Sequence, residues 1–292
     1  MNIVTVRYMK LSVLMDNNTL IDRYFTGEPG VSYLIETEGK KILFDTGYSN
    51  GFITNAAKLG IDLMEVDFLV LSHGHVDHTG GLEPLLKLFL QRDFESAATG
   101  RAVKRVVPEL ISHPYTFLPR VLDNLKLGPL VTEGILSSFF RLNLTKKTVW
   151  ITERLFFLGE VERVNNFEAG TPIGKIKIDG TWQDDYILDD SALVYKSDNG
   201  LIIITGCSHS GICNITEYAK KLSGENRIVD IIGGFHLLDP SDELLGKTVS
   251  AIKWLNPQKI HPCHCTDLRS KAALLGAVSL DETGSGLVLE YR

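Results

Sequence analysis

Apolar and polar positions along the chain repeat with two periods, near two and near 3.6 residues, and the changes between them mark out strands and helices. Residues 1–15 read as a first strand, ended by the turn formers Asp16, Asn17 and Asn18. Residues 31–37 and 41–47 read as two strands around a Glu-Gly turn, a hairpin by spacing, with Asp45 near the end of the second. Helical spacing follows over 52–59, with Gly60 placed to cap it. The apolar run 66–71 predicts a buried strand, and 82–90 predicts a helix packed by its leucine face.

From 91 to 166 the pattern is broken by Pro108, Pro114, Pro119 and Pro129. This stretch is expected to be an inserted elaboration or cap over the site. It selects substrate, as lids and long loops do, or serves as a structural cover with no substrate contact. Order returns with strands over 155–160, 187–195 and 200–205, the last two joined at Ser197, Asp198, Asn199 and Gly200. A helix over 212–222, a strand over 228–232, a helix over 242–255, a strand-like approach at Ile260 and a last strand over 285–290 complete the chain. Two strand-rich halves, each with helices, predict an α/β fold: two sheets face to face with helices outside, an αββα sandwich whose site lies at one rim. No linker divides it, so residues 1–292 are expected to form one domain.

Composition alters this picture little. A length of 292 residues with 44% hydrophobic content supplies an ample core. The net charge of −6 argues against nucleic acid as a partner. The amino terminus lacks the order of a signal peptide and no apolar run reaches about 18 residues, so a cytoplasmic protein without a membrane span is expected. Four cysteines, Cys207, Cys213, Cys263 and Cys265, are too few and too clustered for a disulfide framework.

The candidate chemistry begins where the apolar run 69–71 stops in Ser72-His73-Gly74-His75-Val76-Asp77-His78. Three of the eight histidines fall within six positions here, which chance explains poorly. A strand end followed by a loop lets polar ligands converge without a desolvation cost, and imidazoles beside a carboxylate suit two adjacent metals. Gly74 leaves room between two of the ligands. Later strands end in the same way, at Gly206-Cys207-Ser208-His209, at Gly233-Gly234-Phe235-His236 and at Pro262-Cys263-His264-Cys265.

These motifs, with Phe44-Asp45-Thr46-Gly47 and Asp189-Asp190-Ser191-Ala192, resemble the metallo-β-lactamase superfamily. Within it they resemble the dihydropterin-ribofuranosylaminobenzene phosphate synthase-like subgroup of metal-dependent hydrolases. The resemblance implies that His73 and His75 bind one metal with a third histidine, and that Asp77 and His78 bind a second with His264. Gly206-Cys207 stands where the family has a Gly-Asp pair with a bridging carboxylate, and His209 is the choice for the third imidazole. Cys207 is a thiolate ligand or a small buried residue. Asp45 holds the histidine turn from behind, or merely ends its strand.

Asp77 and His236 are the candidate catalytic residues. His236 donates a proton to a leaving group, ligates a metal, contacts substrate, or is a core histidine. His113 and His261 are expected to be structural, and Glu168 matches a subgroup motif without a derivable role. The implied cofactors are two divalent ions, zinc with iron or manganese as alternatives, and the implied partner is a phosphorylated small molecule. The expected reaction is hydrolysis of a phosphoester or cyclic phosphodiester by metal-activated water, in one version within pterin metabolism. The alternatives are a di-iron redox or oxygen-handling protein and a non-catalytic ligand sensor.

Overall fold

The computed structural model describes residues 8–100 and 107–292, so the part of the first expected strand over 1–7 lies outside the described residues. Its remainder is the strand Met9–Met15, next to the edge strand of a seven-stranded sheet. Across that sheet run Val288–Tyr291, Met9–Met15, Ser32–Thr37, Lys40–Phe44, Phe68–Val70, Glu109–Ser112 and Arg141–Leu144. A six-stranded sheet runs Lys259–Cys263, Ile228–Gly234, Gly200–Thr205, Ala192–Ser197, Leu155–Phe157 and Val149–Trp150.

The two-residue repeat of a strand explains how these sheets stack. In Gly200–Thr205, Ile202 and Ile204 point into the core between the sheets, where they meet Phe44, Val70 and Ile111. Leu201 and Ile203 point the other way, against Ile215 and Ile252 on the helices Ile212–Ser223 and Asp242–Leu255. Both faces of the strand are covered, which is why it reads as an unbroken apolar run. The seven-stranded sheet does the same with Leu43 and Leu69, which pack against Phe52 of the helix Gly51–Lys58 and Leu85 of the helix Leu82–Thr99. The four layers make the expected αββα sandwich.

Strand direction then places the site. Lys40–Phe44, Phe68–Val70 and Glu109–Ser112 run parallel, and so do Gly200–Thr205, Ile228–Gly234 and Lys259–Cys263. Their carboxyl ends deliver the loops that begin at Asp45, Leu71, Gly206, Phe235 and His264. In open α/β sheets that is where ligands gather.

The stretch 91–166 departs from the expected inserted cap. Residues 91–99 continue the Leu82–Thr99 helix, Glu109–Ser112 and Arg141–Leu144 belong to the first sheet, and Val149–Trp150 and Leu155–Phe157 belong to the second. The elaboration is smaller and discontinuous: a four-stranded sheet of Arg120–Leu122, Leu125–Lys126, Lys175–Ile178 and Thr181–Asp184. Its strands are short and largely exposed, so they carry no apolar run to announce them. Residues 187–191 form a turn, and the strand expected there begins only at Ala192. No helix among the described residues is long and apolar enough to cross a membrane.

Phe157 is fully buried between the sheets, whereas Leu275 is 59% exposed. Phe157→Ala is expected to lower unfolding stability by about 3–5 kcal/mol, and Leu275→Ala by under about 0.5 kcal/mol. Denaturant titration of the two variants measures the difference.

Candidate metal centre

The turn after Phe68–Val70 is fixed from behind by Asp45. This buried carboxylate accepts the Ser72 backbone N–H at 2.7 Å and the Ser72 hydroxyl at 2.6 Å, and it accepts His78 Nδ1–H at 2.7 Å. Asp45 itself sits at φ 57°, a conformation Asp tolerates better than most side chains. Ser72 Oγ lies 2.9 Å from His73 Nδ1. With its proton given to Asp45, this hydroxyl accepts from His73, so in the neutral imidazoles the Nε2 atoms of His73 and His78 are the ones free to hold a cation. His264 is oriented in the same way, with Nδ1 at 3.0 Å from Asn17 Oδ1. Partners of this kind set the tautomer of a ligating imidazole.

Two groups of donor atoms result, each with its atoms within 4.8 Å of one another: His73, His75 and His209, and Asp77, His78, Cys207 and His264. In the first, His73 Nε2 lies 3.1 Å from His75 Nδ1. In the second, His78 Nε2 lies 3.1 Å from Cys207 Sγ and 3.2 Å from His264 Nε2, and Asp77 Oδ2 lies 3.4 Å from His264 Nε2. Nitrogens of a tetrahedral zinc site, bonded at about 2.1 Å, stand about 3.4 Å apart. The spacing therefore suits a shared cation. His75 Nε2 and both ring nitrogens of His209 are buried without a hydrogen-bond partner, which an ion would supply. The residues fit a pair of metal ions.

The charges of the two groups differ. Burial, followed by the neighbouring imidazoles, holds His73 and His209 well below the usual histidine range. Burial and then Arg120 bring His75 down to about 4. All three stay neutral, as metal-ligating imidazoles must. At His78 burial works downward, but the Asp77 and Asp45 carboxylates outweigh it and raise the group to about 9. Burial likewise works against ionisation of Asp77, yet His78 and His264 hold its carboxyl far below the usual range. Burial pushes the Cys207 thiol up.

A second brace holds the turn from the opposite side. Asp189 Oδ2 accepts the Gly74 backbone N–H at 2.8 Å, and Asp189 is paired with the buried Arg120, which also reaches Asp185 at 2.7 Å. A side chain at Gly74 would meet Thr116 O at 2.0 Å and Arg120 Nη1 at 2.2 Å, so the glycine makes room for this brace as well as for the ligands beside it. Arg120 escapes sequence reasoning because it lies in the proline-broken stretch. Its only signal was a lone basic residue beside short apolar runs.

His236 falls outside both donor groups. Its ring centre lies 4.3 Å from that of His209, and the side chain is exposed at the rim. Although burial of its inner edge opposes the charge, Cys265 raises its pKa. His113 and His261 are buried on Glu160 and Asp230, at 3.0 and 2.9 Å, away from the donor groups. Glu168 acquires a role: its carboxylate accepts the Cys213 and Asn214 N–H groups at 3.0 and 3.1 Å, capping the helix that follows the His209 loop.

A four-layer sandwich with two convergent His, Asp and Cys donor groups at one rim defines a class of metal-binding hydrolase folds. The chain belongs to the metallo-β-lactamase superfamily, whose family model matches residues 25–130. It is 32% identical over 285 residues to the 7,8-dihydropterin-6-methyl-4-(β-D-ribofuranosyl)-aminobenzene-5′-phosphate synthase of Methanocaldococcus jannaschii, covering 93% of this chain and 92% of that protein. A crystal structure of a metal-dependent hydrolase of the β-lactamase superfamily superposes with a TM-score of 0.80 at 29% identity, covering 97% of this chain and 99% of that one. A metallo-β-lactamase fold protein from Bacillus subtilis, 11% identical with a TM-score of 0.57 over 98% of this chain and 100% of its own, shares the fold.

The Asp45 contact has a pH signature in chelator-treated protein. His78 has an ordinary value of 6.5 and stands at about 9 when folded, so its contribution is complete below pH 6.5 and is lost as pH rises through 9. That loss amounts to about 3 kcal/mol at most. Unfolding titrations between pH 6 and 10 are expected to show it, and Asp45→Asn is expected to flatten the slope.

Proposed function

We propose that the protein is a metal-dependent hydrolase that cleaves a phosphoester or cyclic phosphodiester. The observation that carries this reading is the pair of donor groups built on the single turn 73–78, side by side at the rim of a cavity that also meets His209 and His236. In it His73, His75 and His209 hold one divalent ion, and Asp77, His78, Cys207 and His264 hold a second. Imidazole and thiolate donors favour zinc, with iron or manganese as alternatives. Two such ions supply a water acidified to near neutral pH and positive charge at the attacked centre.

The chain's own groups do the rest. Asp77 stays ionised at the mouth of the site, where its carboxylate accepts a hydrogen bond from the incoming water and orients it. His236, whose pKa its contact with Cys265 raises against the effect of burial, gives its proton to the departing oxygen. The buried imidazoles of the first group remain neutral and so stay available to hold a cation. The name of the Methanocaldococcus jannaschii relative, a synthase of a pterin-linked ribofuranosyl aminobenzene phosphate, supports a phosphorylated small molecule as substrate and pterin metabolism as its setting.

Elemental analysis of protein purified without chelators is expected to find zinc at close to two ions per chain. The loaded protein is expected to hydrolyse members of a panel of phosphomonoesters, diesters and cyclic diesters. His75→Ala is expected to lower the rate at least about 100-fold, in line with loss of a metal-activated nucleophile. A metal-loaded protein inert on the whole panel, or a His75→Ala rate equal to the parent's, would end the hydrolase reading.

A further inference from the structure

A cavity of about 410 Å³ opens beside the donor groups, with His209 and His236 at its inner end. Its walls include Phe167, Tyr186, Ile187 and Leu238. Tyr186 is 41% and Leu238 72% exposed. Single exposed apolar side chains are ordinary on a protein surface, but these share one cavity with the half-buried Phe167 and the buried Ile187. A ligand that covers them removes apolar surface from water, and a flat ring does so at low entropic cost while meeting the face or edge of an aromatic side chain.

Charge narrows the choice. Among the described residues the cavity is lined by no Lys or Arg, and its one carboxylate is Asp239. Neither nearby arginine lines the cavity: Arg163 donates to the Tyr186 and Ile187 carbonyls at 2.7 and 3.0 Å, and Arg120 is buried between Asp185 and Asp189. The helix Asp242–Leu255 brings its amino end to the cavity through Ser241 and Leu244. Its positive end is already answered, because the Ser241 hydroxyl accepts the Leu244 N–H and Asp242 and Glu243 occupy the first turn. Apart from His236, whose ring sits 4.3 Å from that of His209 at the donor-group end, nothing lining the cavity compensates a second anionic group, which beside Asp239 would be repelled.

We infer that the substrate places one flat, uncharged ring in this cavity and presents a single anionic ester to the donor groups. A polyphosphate or an oligonucleotide would put further charge along the wall past His236, where no second cation lines the cavity. This rests on the phosphoester reading above and narrows it.

Three diesters with a common 4-nitrophenolate leaving group test the inference: phenyl, methyl and 3-carboxypropyl 4-nitrophenyl phosphate, each assayed with zinc-loaded protein. The expected result is a kcat/KM for the phenyl diester about ten-fold above both others, the usual reach of a single apolar contact. The Tyr186→Ala/Leu238→Ala double variant is expected to erase that preference through KM while changing the methyl diester less than about two-fold. A preference for the carboxypropyl diester, or a phenyl preference that survives the double variant, overturns the inference. If the parent protein hydrolyses none of the three, calorimetric binding of phenylphosphonate against methylphosphonate separates the two claims. Tighter phenylphosphonate binding that the double variant loses upholds the cavity assignment while the hydrolase reading falls, and equal binding overturns the assignment.

Discussion

The candidate site depends on one buried carboxylate. Asp45 takes three hydrogen bonds, from the Ser72 amide, the Ser72 hydroxyl and His78, and so fixes both the backbone of the histidine turn and the direction of two of its rings. It also sets the distance to the second sheet. A side chain at Gly206 would lie 2.2 Å from Ser72 Oγ and 2.9 Å from Asp45 Oδ2, so the Cys207 loop can approach this unit only because residue 206 is glycine. The Ser72 carbonyl completes the join by accepting the Ser191 N–H at 3.0 Å. One polar contact thus seats the loops of both sheets against each other, and the donor groups follow from that seating.

Such an arrangement carries an energetic cost. Burying carboxylates and a guanidinium removes hydration worth several kcal/mol per ion, and only full hydrogen bonding offsets it. Asp189 illustrates the compensation: burial opposes its charge, but the Arg120 guanidinium outweighs this and keeps it ionised. An apolar core of the same volume would be at least as stable. What the network supplies is position, because the Gly74 amide, and with it the spacing of His73 and His75, is tied to a fixed charge.

Local signals made the first half of the site legible in the sequence. His73, His75, Asp77 and His78 lie on one turn after one apolar run, so spacing alone reports them. Cys207, His209 and His264 come from two other loops, and only the parallel order of the strands brings them near. Their association could be read from similar strand endings and from family resemblance, not from distance along the chain. The stretch 91–166 failed for a different reason. Glu109–Ser112 and Arg141–Leu144 are short, lie toward one side of their sheet and are separated by proline-rich turns, so neither the two-residue nor the 3.6-residue period persists long enough to be seen. Arg120 and Asp189 are 69 residues apart, and no pattern within either segment reports a pair closed only by tertiary structure.

Cys207 matters because of which group it joins. It stands with Asp77, His78 and His264 and is not among the donors of the His73, His75 and His209 group, so no donor is common to the two. A bridging carboxylate would have given both groups a similar charge. Here one group is made wholly of neutral imidazoles, while the other carries an ionised Asp77 and a thiol that a cation would deprotonate. A divalent ion in the first would keep its full charge and act as the stronger Lewis acid, whereas one in the second would be largely neutralised and held by a soft ligand. Imidazole alone discriminates poorly among zinc, iron and other late first-row ions, but a thiolate discriminates strongly against the hard ones. In the proposed two-metal reading, one sulfur in place of one carboxylate would therefore separate two tasks that a symmetric pair would share: the second group would set which metal the site keeps, and the first how strongly it polarises what enters.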